Sequence, residues 1–193
     1  MNATQFAGSR PKFWKTALLY GTAHFLVMTY GAFIIEQGDC QWIVPAYLMA
    51  LPVMLSILTL RRIGVGVVAF LPYAIIGFFP VYYIDYVTLR TMQTVWGAVT
   101  WCIGGLLTGL SADLAYHFLP ARLPEEWRAI LTGGTVGLGN YLTPLIAMTF
   151  FYSPHPPESH YHLFTTGIAY SLSWLLVNSG FAGYTAYAIH KRV

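Results

Sequence analysis

The chain has 193 residues, 56% of them hydrophobic and only 9% charged, and its mean hydropathy is +0.57. Soluble domains carry about a quarter of their residues as charges, so this composition excludes an ordinary soluble domain and points to an all-α, polytopic integral membrane protein. The net charge of +3 lies on basic residues at the expected helix ends, which excludes a nucleic-acid partner, and two cysteines, Cys40 and Cys102, offer neither a disulfide framework nor a zinc motif.

A bilayer core roughly 30 Å thick needs about 20 apolar residues per helix. Six runs meet that requirement, at about 13–35, 42–60, 63–88, 94–119, 127–152 and 161–189, and together they make residues 1–193 a single six-helix transmembrane domain. The short connections leave no room for a soluble or nucleotide-binding unit. The first run is too long for the apolar core of a signal peptide and leads into "EQGDCQ" instead of a small-residue cleavage site, so it is expected to be retained. Prolines inside the runs (Pro45, Pro52, Pro72, Pro80, Pro144) are compatible with membrane helices, where neighbours re-satisfy the freed carbonyls.

The third run ends in "YYIDYVTLRTMQ", which carries Tyr82, Tyr83 and Asp85, and the fourth opens at Trp96. The fourth then reads "CIGGLLTGLSAD", with Gly105 and Gly109 four apart, and the fifth reads "TGGTVGLGNY", with Gly133 and Gly137 likewise. Small residues at that spacing let helix backbones approach. They predict tight contact between spans four and five or with a partner, and with no preceding strand they are not a phosphate-binding loop. Asp113 and His117 share one face of the fourth span. They are either an interfacial ion pair or a proton-relay or metal-ligating pair.

Orientation follows from the basic residues. Arg10, Lys12, Lys15, Arg61, Arg62, Arg122, Arg128, Lys191 and Arg192 fall on one side and Arg90 alone on the other, which predicts a multi-pass protein of the inner (plasma) membrane with both termini in the cytoplasm. The outer side then receives four acids (Glu36, Asp39, Asp85, Glu158) and an aromatic mouth of Tyr82, Tyr83, Tyr86, Trp96 and Tyr152. These aromatics read either as an interfacial belt or as part of a binding site. Near mid-depth lie His24, Cys102, Asn140 and Asn178, one on each of four spans. Polar groups there are costly unless they pair or face a cavity, so this layer is either interhelical glue or a small-molecule pocket. A b-type haem would want a second histidine at the depth of His24.

The last outer connection contains "HPPESHYH". His155, His160 and His162 beside Glu158 form a plausible divalent-metal set, a stiff lid over the outer mouth, or a solvated loop. Catalytic signatures are missing: "VNSGFAG" around Ser179 lacks a rhomboid-like GxSG, and neither HExxH nor paired intramembrane aspartates occur. The chain is therefore not expected to be an enzyme on its own.

Ala17 and Gly21 in "TALLYGTAHF", together with the small-residue character of "GGLLTGLSADLAYHFL" and the six-span plan, resemble the substrate-binding S-components of energy-coupling factor transporters. The resemblance covers the whole chain as architecture. It carries no vitamin-specific motif, and the N-terminal histidine motif of the nickel and cobalt members is lacking. The resemblance implies uptake of a vitamin-like small molecule from outside, with Ala17 and Gly21 contacting a transmembrane coupling subunit of an ATP-driven complex. By position and chemistry, Tyr82, Tyr83, Asp85, Trp96, Asn140, Asn178 and His24 are the candidate substrate-binding residues. The competing reading is a structural or metal-, haem- or quinone-associated subunit of a larger membrane oxidoreductase or oxygenase complex.

Overall fold

The computed structural model describes residues 10–37, 43–88, 90, 92–152 and 168–192. The described chain is helical: α1 (Arg10–Gln37), α2 (Ile43–Leu60), α3 (Val65–Ile76), α4 (Phe78–Val81), a π-helical segment (Tyr82–Thr88), α5 (Trp96–Phe118), α6 (Glu125–Phe151) and α7 (Ile168–His190). Among the described residues the one β-type pairing is an isolated bridge between Met92 and Tyr152.

Five of the six expected runs each fall on one helix, residues 161–167 of the last run lying outside the described residues. The third does not, and proline chemistry explains why. Pro80 has no amide hydrogen to give to the carbonyl of Ile76, the last residue of α3. The chain turns at Gly77, whose N–H donates to Tyr73 O (2.8 Å), and continues as α4 and then as the wider π-helical segment.

The long helices close into a ring. In spatial order α1 packs on α3, α3 on α5, α5 on α6, α6 on α7, α7 on α2, and α2 back on α1. Helix α2 also reaches across to α3 and α6. It supplies much of the core: Val53, Met54, Ile57 and Leu58 are fully buried and meet Val65 and Phe70 of α3 and Val136 of α6.

Small residues set these contacts. On α6 and α7, Cβ atoms at Gly133 and Gly137 would strike the main-chain carbonyls of Ser179 and Leu175, and one at Gly183 would strike that of Ala129. Gly66 of α3 and Gly109 of α5 meet in the same way, each against the other's carbonyl. Gly105 faces Phe70, also on α3. The four glycines read from the sequence thus serve α3–α5 and α6–α7, whereas α5 and α6 meet through Gly104 against Thr143 and Gly139 against Thr108. The sequence marked where backbones approach but not which helix they approach.

The outside of the bundle is apolar along most of its length, with Leu19 68%, Phe118 74% and Phe150 68% exposed and many leucines and isoleucines between them. One described helix, α5 with 23 residues and a hydropathy of 1.3, is long and apolar enough by itself to cross a membrane, and the apolar parts of α2 and α3 are shorter.

Candidate functional site

A partly open cavity of about 80 Å³ lies where α2, α3, α5, α6 and α7 converge. Phe70 and Tyr73, one turn apart on α3, and Trp101 on α5 give it three aromatic walls. Met49 of α2 and Met148 of α6 supply pliable thioether sides, and Asn140, Thr143 and Pro144 of α6 complete the polar edge. None of the described side chains lining it is charged.

The hydrogen-bonding inventory is uneven. The Trp101 indole N–H donates to the Tyr152 hydroxyl (3.3 Å), so that donor is used. The Nδ2 of Asn140 is buried and has no hydrogen-bond partner among the described residues. Its helix runs unbroken through Pro144, which lacks the amide that would bond the main-chain carbonyl of Asn140. An orphaned donor costs about 1–3 kcal/mol in the interior.

Behind the Phe70–Tyr73 wall sits His24, fully buried on α1. Its Nδ1 is 2.9 Å from Met49 O, and its ring stands edge-on to Phe70, with centroids 4.5 Å apart, and to Tyr73 at 6.3 Å. A main-chain carbonyl can only accept, so the proton belongs on Nδ1. That leaves Nε2 as a buried acceptor without a partner among the described residues. Thus the structure gathers two of the sequence candidates, His24 and Asn140, around one aromatic wall.

The other candidates lie elsewhere. Asn178 donates to Trp174 O (2.8 Å) one turn back on its own helix, and so satisfies itself locally. Tyr82 stacks between Phe78 and Tyr86, at 5.7 and 5.4 Å, in the aromatic run that includes the π-helical segment. Tyr83 and Trp96 are each 63% exposed. Asp85 belongs to the π-helical segment. His155, His160 and His162, with Glu158 and Cys40, lie outside the described residues; among those described, no three His, Cys, Asp or Glu side chains gather. Cys102 is a half-buried free thiol next to Trp101.

Sequence reading missed Phe70, Tyr73, Trp101 and the two methionines. The i, i+3 spacing of Phe70 and Tyr73 was the available signal for a shared face, yet aromatics in an apolar run look alike whether they line a cavity or face lipid.

The α2–α3 turn carries a second polar cluster. The buried Asp113 carboxylate of α5 accepts from the amides of Gly64 (3.0 Å), Gly66 (3.0 and 2.9 Å) and Val67 (3.4 Å), so a side chain from another helix caps the first turn of α3. His117, expected to pair with that carboxylate, instead places Nδ1 2.8 Å from the main-chain O of Asp113 and Nε2 3.4 Å from Arg61 O. Arg61 reaches Glu125 of α6 (2.6 Å) and His190 of α7 (3.1 Å). Arg128 donates to Tyr116 O and lies over the Tyr116 ring. This end of the bundle is tied together by charge, in contrast to the uncharged cavity.

Gly21, implied by the family resemblance to face a coupling subunit, is occupied within the bundle. A Cβ there would come 2.9 Å from Pro72 Cγ and 3.0 Å from Val68 O, the carbonyl that Pro72 cannot bond. Ala17 is fully buried. No protein-family model, curated protein or solved structure matches this chain.

Proposed function

We propose that the protein is a multi-pass membrane subunit that binds a small molecule in this cavity and hands it to a partner complex for uptake, without changing it covalently. The apolar exterior supports the membrane part of this reading, because monomeric soluble proteins rarely expose contiguous apolar patches beyond a few hundred Å². The distribution of Lys and Arg supports cytoplasmic termini. The observation that carries the binding part is the buried, unpartnered Nδ2 of Asn140 at the edge of an aromatic cavity, with His24 behind its wall. Binding sites are mostly apolar hollows with a few placed polar groups, and a donor left without a partner is what a ligand's acceptor would satisfy.

Native mass spectrometry after gentle extraction tests the proposal. A retained small molecule that is lost in Asn140→Leu, together with an ATPase-containing partner assembly, is the expected result. Stoichiometric haem, copper or iron within a large oxidoreductase assembly would overturn it in favour of an electron-transfer role.

A further inference from the structure

We infer that the group bound in this cavity is a single uncharged flat ring that presents a hydrogen-bond acceptor to Asn140; this rests on the ligand-binding reading above. Size comes first. A cavity of about 80 Å³ is smaller than the ~150 Å³ hollow that admits benzene. A single ring therefore enters only as the unbranched Met49 and Met148 give way around it, and a fused or bulkier group fits less well. Flatness follows from the walls, since Phe70, Tyr73 and Trp101 offer aromatic surfaces against which planar rings pack face or edge.

Charge is decided by two observations. None of the described lining side chains carries a charge near neutral pH, so an ion entering from water would lose its hydration with no countercharge in return. Aromatic walls by themselves attract cations. Here, however, the buried lining atom left without a partner among the described residues is a donor, and the positive end of the Asn140 amide opposes a cation and favours an acceptor. An anion would satisfy the donor but finds no basic residue among the described lining. A neutral ring nitrogen or ring carbonyl meets every condition.

Three matched probes test this in protein-loaded and empty nanodiscs by ¹⁹F NMR line broadening, in mildly alkaline buffer: 3-fluoropyridine, fluorobenzene and N-methyl-3-fluoropyridinium. We expect 3-fluoropyridine to bind roughly ten- to a hundred-fold more tightly than fluorobenzene, the cost of leaving one buried donor unsatisfied, and the pyridinium to show no binding above empty discs. Asn140→Leu should collapse the difference between the two neutral probes while fluorobenzene still binds, which also reports that the variant is folded. Equal affinities of the neutral probes in the unaltered protein, or preference for the pyridinium, would overturn the inference and leave the ligand-binding reading standing. Broadening by none of the probes beyond empty discs would overturn both.

Discussion

Asp113 accepts from three amides at the start of α3, and its removal should be one of the costliest single changes in the protein. Helix α3 begins after Gly64 (φ 97°), which has no side chain with which to cap it. The amides of Gly64, Gly66 and Val67 all donate to Asp113, on the neighbouring helix, at 2.9 to 3.4 Å. Hydrogen bonds to a charged acceptor contribute about 1.5–3 kcal/mol each, and a buried donor stripped of its partner costs about 1–3 kcal/mol. The three are not additive, and water will reach the half-buried Gly64 amide. Asp113→Ala should therefore destabilise the fold by about 3–4 kcal/mol. Asp113→Asn retains one acceptor oxygen but turns an NH₂ towards amide donors, and should lose about half as much. The assay is denaturant unfolding in mild detergent, with hydrogen exchange read at Gly66 and Val67. A loss below about 0.5 kcal/mol for Asp113→Ala, with those amides still protected, would refute the cross-helix cap.

The glycines of α6 give a paired test. Gly133→Ala drives a Cβ into the Ser179 carbonyl and should destabilise by about 2 kcal/mol or more. Gly134→Ala, one residue on, meets open space and should be neutral or stabilising by up to about 1 kcal/mol, the helix-propensity gain; thermal unfolding of the two variants would rank them. The Arg61–Glu125 pair is short, but its side chains are 51% and 35% exposed, so a double-mutant cycle should return about 1 kcal/mol or less. For topology, single cysteines introduced at Arg122 and Arg90, in a chain lacking Cys40 and Cys102, should label from the cytoplasmic and outer faces respectively, with impermeant maleimide as the reagent. Labelling of both from the same face would contradict the six-span orientation.

Helix positions were legible because each apolar run is long and punctuated by charge or proline. Neighbour relations were not, because a glycine states how closely a backbone can come and nothing about which one. Gly109 finds its partner in Gly66, far away in sequence. The polar residues expected at mid-depth could not be sorted from their letters: Asn140 and Asn178 look equivalent, yet Asn178 bonds the carbonyl one turn back while Nδ2 of Asn140 has no such bond. Asp113 and His117 have the spacing of an ion pair, but the carboxylate is drawn instead to three aligned amides at the start of α3, where the helix dipole favours an anion. Such outcomes depend on backbone groups brought from elsewhere, which residue identity does not encode.

The most direct measurement is a structure of the gently extracted protein with its ligand retained, in a crystal or by electron cryomicroscopy. A flat density bounded by Phe70, Tyr73 and Trp101, with an acceptor atom at hydrogen-bond distance from Asn140 Nδ2, is the expected result. A dry, closed cavity beside a ligand bound at the exposed Tyr83 and Trp96 would contradict it.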